Sequence, residues 1–179
     1  MKVFKTNKGQ LFLSILGISL LIFSHIYGCK TDEHGKISKT SLSSTPFNEP
    51  QFTKERELIF FSKNNEEIIT IDIEIADTRK EITRGLMYRR TMAETQGMFF
   101  VHDIYKYPFF WMKNTYIPLD MIFVDKKMQI VKIEKNTTPL SEELISVPKE
   151  TYYTIEVNAG FCDQHGIKIG DSIKALKIP

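Results

Sequence analysis

Cysteine is scarce in this chain: its 179 residues include two, Cys29 and Cys162. That excludes a disulfide-rich scaffold and a Cys-rich zinc site. Histidine is also sparse, at four residues, and no His-x-His or Cys-x-x-Cys spacing occurs. No metal site is expected. A Gly-x-Ser-x-Gly nucleophile elbow and a phosphate-binding glycine loop are missing as well, so the sequence implies no cofactor. Charge of one sign is lacking too: 24 Lys and Arg face 22 Asp and Glu. Without its first ten residues, which hold Lys2, Lys5 and Lys8 and no acid, the chain has 21 bases against 22 acids. Nucleic-acid binding usually needs a basic footprint, and none is present.

What is present begins with an N-terminal pattern. A basic start, Met1–Gln10, runs into the apolar stretch Leu11–Ile26 and then Tyr27-Gly28-Cys29. A positive region, an apolar region and a small residue before a cut describe an export signal. Cys29 directly after Gly28 resembles the bacterial lipoprotein signal, in which the cysteine sulfur takes a diacylglyceryl group and becomes the new N-terminus. Tyr27 is bulkier than usual for that box. The alternatives are an ordinary cleaved signal and a retained helix, but sixteen residues fall short of the roughly 20 a membrane span needs. The expectation is residues 1–28 as signal peptide, Cys29 lipidated, and a cell-envelope protein held on a membrane. Lys30 after the cysteine leans toward the outer membrane. Lys30–Arg56, rich in Ser, Thr, Lys and Pro, reads as a flexible tether reaching about 30 Å.

Residues 57–179 are the size of one domain. With 42% hydrophobic and 12% aromatic residues, the chain can bury a core. Leu58–Phe61 reads as a strand. Ile69, Ile71, Ile73 and Ile75 alternate with Thr70, Asp72 and Glu74, a half-buried strand with its acids in water. Thr78 and Glu81 form a capping box that starts a helix running to about Tyr88. Gly85 inside it weakens it and suggests a close approach to a strand. Gly97–Val101, Phe109–Met112, Met121–Val124, Met128–Glu134, Tyr152–Val157 and Ile167–Ala175 read as further strands, with a hairpin turn at Asp125-Lys126-Lys127. Many short strands with one short helix predict a mainly β fold, a compact sandwich or jelly-roll-like barrel.

Several residues invite chemistry. Asp72 and Glu74 are more simply a solvated strand face than paired catalytic carboxylates. Cys162, near Asp163 and His165, has the makings of an activated thiol, though a half-buried residue at a strand end is the simpler reading. Met87, Met92, Met98, Met112, Met121 and Met128 suggest a soft-metal site, but methionine more often fills gaps in cores. The most informative stretch is Phe109–Asp120, where an apolar wall ends in Lys113, Asn114 and Thr115. Small-ligand pockets are built from that mixture. Alternatively, Asn114-Thr115 turns the chain while Trp111 fills the core.

The motifs Arg84-Gly85-Leu86-Met87-Tyr88-Arg89, Gly97-Met98-Phe99-Phe100, Phe110-Trp111-Met112-Lys113-Asn114-Thr115 with Ile117-Pro118-Leu119-Asp120, Glu156-Val157-Asn158-Ala159-Gly160 and Gly166-Ile167-Lys168-Ile169-Gly170-Asp171 occur in that order. Together they resemble the bacterial and archaeal family called domain of unknown function 192, over about residues 69–175. The resemblance implies a jelly-roll-type β-sandwich with a short helix, often exported or lipid-anchored, with no established activity. It implies a shared site among Arg84, Lys113, Asn114, Thr115, Asp120, Glu156 and Asn158.

Three functions follow as expectations. The first is an envelope binding module holding a small polar or saccharide-like ligand, or a short peptide, against Trp111 and Lys113–Thr115, with Arg84 or Glu156 as a charged contact. The second is an envelope hydrolase or lyase using Asp120 or Glu156 as acid or base. It requires a second carboxylate within about 5–10 Å. The third is an assembly factor docking on another envelope protein through an exposed apolar patch.

Overall fold

The computed structural model describes residues 48–101 and 109–177. Cys29, the expected export signal, most of the expected tether and His102 lie outside the described residues. Among the described residues no helix is long and apolar enough to cross a membrane.

The fold is mainly β, a compact curled sheet with short helices. Among the described residues nine strands occur, in the order β1 (Arg56–Phe61), β2 (Glu67–Ala76), β3 (Gln96–Val101), β4 (Phe109–Phe110), β5 (Leu119–Asp125), β6 (Ile130–Glu134), β7 (Ile145–Ser146), β8 (Thr151–Asn158) and β9 (Ser172–Lys177). Helix α1 (Arg79–Arg84) precedes β3, and α2 (Phe161–His165) precedes β9. Seven strands form one sheet ordered β6-β5-β8-β3-β2-β1-β9, while β4 and β7 make a separate ribbon. All pairings in the large sheet are antiparallel except β2–β3. The sheet's two edges meet at one end. There Gln129 bridges Ser172, and Ile130 and Ile173 donate to the carbonyls of Asp171 and Met128 at 2.8 and 2.9 Å.

Period-two alternation separates two cores. Leu58, Phe60, Ile71, Ile73, Ile122, Val124, Ile155 and Val157 join Phe161 and Cys162 of α2 on one face. All seven strands of the large sheet contribute to this cluster, which is the inside of the curl. Met98, Phe100, Leu119, Met121 and Phe123 project to the other face, where Leu86, Met112 and Ile117 from loops cover them. Strands β3, β5 and β8 are thus buried on both faces in their middles, which is why GMFFV and MIFV read as continuous apolar runs.

Three differences from the sequence reading have physical causes. Helix α1 starts at the capping box of Thr78 and Glu81 but stops at Gly85, whose φ of 47° and ψ of −136° are not helical. Glu74 does not point to water. It is buried and lies 2.5 Å from Arg89, a partner brought in by the turn after α1. The tether ends earlier than Arg56: Glu49 accepts from Arg90 N at 2.6 Å, Thr53 N donates to Glu74 at 2.9 Å, and Glu55 N donates to Ile73 O at 2.9 Å. Residues 49–55 therefore lie along β2 as part of the domain. A second short helix, α2, sits between Gly160 and Gly166, both at positive φ.

Candidate functional site

Glu156 projects from β8 on the face opposite Ile155 and Val157. Its strand neighbours are Met98 of β3 and Met121 of β5, so two thioether side chains flank it where a polar partner would have to stand. It is 5% exposed. Among the described residues no hydrogen bond or ion pair reaches its carboxyl. Burial alone pushes its pKa up to about 8, because removing water penalises the charged form. At neutral pH the group keeps its proton and can both donate and accept.

The space in front of this carboxyl is a small pocket of about 30 Å³. Gly85 keeps it open. A Cβ there would lie 3.2 Å from Phe100 Cζ and 3.8 Å from Glu156 Oε2, and the positive φ also disfavours any L side chain. Phe100 and Phe110 both line the pocket, their rings 5.3 Å apart and at 88°. Trp111 stands beside them, 40% exposed. Arg84, at the end of α1, and Thr115 supply polar atoms. Arg84 also lines an adjoining cleft of about 330 Å³ with Glu55, Glu74, Glu81 and Arg89.

Lys113 and Asn114 act from outside the pocket. The Lys113 ammonium lies 5.2 Å from the Trp111 ring centroid and 3.2 Å from Glu142. Asn114 adopts φ 57°. Its side chain donates to Tyr88 Oη at 3.0 Å, and its carbonyl accepts from Tyr88 N at 2.8 Å. It therefore fastens the 110–115 motif to the 84–89 motif and positions the pocket's rim. Asn or Asp tolerates the left-handed backbone region better than other side chains do.

Asp120 does not join the site. It is wholly buried and points to the inside of the curl, away from Glu156. Both its oxygens are occupied, accepting from Asn136 N at 2.9 Å and Cys162 N at 3.0 Å. Its place on β5 puts it one residue out of phase with Met121, the partner of Glu156, so the two carboxylates face opposite sides of the sheet. That removes the acid–base pair a hydrolase would need from these two residues. Asn158 serves structure: its amide donates to the carbonyls of Met92 and Ala93 at 2.9 and 3.2 Å.

Cys162 is buried, and burial, with the Asp120 carboxylate next, raises its thiol pKa far above the ordinary value. It stays protonated and lies on the inner core, not in the pocket. His165 packs on Phe161, with ring centroids 4.5 Å apart. Among the described residues no group of three or more His, Cys, Asp or Glu is arranged to hold a metal ion. Met98, Met112 and Met121 are buried in the outer core, and Met112 Sδ accepts from Thr137 Oγ1 at 3.2 Å.

Sequence reasoning placed Phe110 in the apolar wall of the candidate stretch but did not single out Phe100 or Gly85 as pocket residues. The signal for Phe100 was its phase: in β3 it shares a face with Met98, which pairs with Glu156.

The motif residues that build this pocket fall inside a family match. Residues 60–175 match the model of domain of unknown function 192, described as "Uncharacterized ACR". The chain belongs to this family. A solved structure from Sinorhizobium meliloti 1021, a provisionally assigned transcription regulator, shares 30% identity and a TM-score of 0.64, covering 70% of this chain and 98% of its own. A protein of unknown function from Novosphingobium aromaticivorans DSM 12444 shares 30% identity and a TM-score of 0.60, covering 66% of this chain and 83% of its own. No curated protein matches.

Proposed function

We propose that this family member is an envelope-anchored binding module whose pocket takes one small polar group of a ligand, with Trp111 as a platform for the rest. The observation that carries it is the Glu156 carboxyl, buried without a partner and facing open space between aromatic walls. Perturbed carboxyls in clefts mark candidate functional sites. A saccharide-like ligand suits this mixture, since a half-exposed Trp offers an apolar face and Arg84, Thr115 and Glu156 offer donors and acceptors. The near-balanced charge of 24 bases and 22 acids gives no footing for transcription-type DNA binding, the assignment of the Sinorhizobium neighbour.

The anchoring half of the proposal rests on Leu11–Ile26 followed by Gly28-Cys29. A diacylglyceryl thioether with a further acyl chain holds a protein firmly on a membrane. Labelling with radioactive palmitate should mark the wild type and leave Cys29→Ser unlabelled; an unlabelled wild type rejects lipidation.

Ligand binding is tested by calorimetry of the full chain in detergent against envelope saccharides. Wild type should bind, while Trp111→Ala and Glu156→Gln should each weaken binding at least severalfold. Affinities unchanged in both variants would reject this placement.

A further inference from the structure

We propose that the polar group received by this pocket is a primary ammonium, gripped by the Glu156 carboxylate and surrounded by the rings of Phe100, Phe110 and Trp111. The inference rests on the binding reading above and narrows it to a ligand class.

Three observations converge. The first is the unpartnered carboxyl, 5% exposed and facing the pocket. The second is the lining: three aromatic rings, two of them meeting at 88°. Aromatic faces carry negative electrostatic potential and attract cations, most strongly where water is excluded. A carboxylate inside such a corner suits a positive guest better than a neutral hydroxyl. The third is size. Gly85, lacking a Cβ that would lie 3.8 Å from Glu156 Oε2, leaves room for a small head group in front of the carboxyl. The Lys113 ammonium lies 5.2 Å from the Trp111 centroid and 3.2 Å from Glu142, a positive charge beside that ring.

Arg84 is the other ionisable side chain lining the pocket, and its charge opposes a cation. It also lines the adjoining cleft, together with Glu55, Glu74, Glu81 and Arg89. The empty pocket holds a neutral carboxyl, so binding an ammonium at pH 7 requires Glu156 to lose its proton to solvent. With its pKa at about 8, roughly nine-tenths of a proton is released per ligand bound. A neutral hydroxyl ligand releases none.

Amine carriers are compared with their neutral twins by calorimetry of the full chain at pH 7, in phosphate and in HEPES buffer, neither of which carries a primary amine. The probes are glucosamine against glucose, and O-phosphoethanolamine against ethylene glycol phosphate. The amine of at least one pair should bind about tenfold or more tightly than its twin. The difference in heat between the buffers should report close to one proton released. N-acetylglucosamine, whose nitrogen carries no charge, should lose the advantage. Which carrier binds more tightly separates an amino sugar from an ethanolamine headgroup as the source. Glu156→Gln should abolish both the amine preference and the proton release. Trp111→Ala, at a half-exposed position, should weaken amine binding severalfold and keep the proton release. Equal affinity for amine and twin, or binding without proton release, overturns the ammonium assignment and leaves the pocket reading standing. If neither member of any pair binds, and the envelope saccharides fail as well, both readings fall.

Discussion

Replacing Glu156 with glutamine should make the protein more stable, and by an amount that grows with pH. In the folded protein this carboxyl holds its proton up to about pH 8, whereas in the unfolded chain it loses it near the ordinary value of 4.5. Between those values the folded state binds the extra proton. Raising the pH through that window therefore favours unfolding. The penalty is absent below pH 4.5, grows by about 1.4 kcal/mol per pH unit, and levels off above pH 8. At pH 7 it amounts to about 3 kcal/mol, a large share of the roughly 5–15 kcal/mol that holds a typical domain together. Glutamine nearly matches the shape and cannot ionise. Urea unfolding of wild type and Glu156→Gln, followed from pH 4.5 to pH 8.5, gives a difference in which other titrating groups cancel. That difference should open by about 3 kcal/mol between pH 4.5 and pH 7 in favour of the variant. Two stability profiles that stay parallel across this range would refute the burial account of Glu156.

Further substitutions probe the scaffold around the pocket. Gly85→Ala forces a side chain into a positive φ against Phe100 and should lower stability by about 1–3 kcal/mol, read from denaturant midpoints. An unchanged midpoint would show that the turn relaxes freely. Asp120→Ala strands the backbone N–H groups of Asn136 and Cys162, a loss of about 2–6 kcal/mol at roughly 1–3 per group. Asn114→Ala should cost about 1–2 kcal/mol by losing the Tyr88 contact and the tolerated left-handed backbone. Asn114→Gly keeps the backbone and should cost less in the same unfolding assay. Cys162, buried and held protonated, should resist alkylation by iodoacetamide in the native protein and react once the chain is unfolded. Rapid native labelling would contradict its burial.

Much of the sheet was legible because its signals are local. The isoleucine alternation in β2, the capping box before α1 and the Asp125 turn all depend on residues a few positions apart. In that turn the Asp125 carboxylate accepts from Lys127 N and Gln129 N at 2.8 and 2.9 Å. Features that failed to show are those fixed by distant partners. Glu74 reads as a surface acid until Arg89, from the turn after α1, folds over it. The Tyr152, Thr154 and Glu156 face of β8 reads as polar, yet loops from elsewhere in the chain bury its lower half. Helix α2 has five residues between two glycines, too few for a periodic pattern to emerge. Within the candidate site, the polar residues Arg84, Thr115 and Glu156 stood out as motif members along with Trp111. Their division from Asp120 follows only from sheet phase. Phe100 passed for an ordinary strand residue, because an aromatic wall and a core position look the same in sequence.

The pairing of β1 with β9 bears on how the domain is made. The first strand of the sheet finds one of its two neighbours only in the last. A nascent polypeptide therefore stays open along that seam until its C-terminal segment has left the ribosome, and such distant contacts form slowly. If the protein is exported as proposed, that delay keeps the chain threadable through a translocation pore, and closure of the seam falls on the far side.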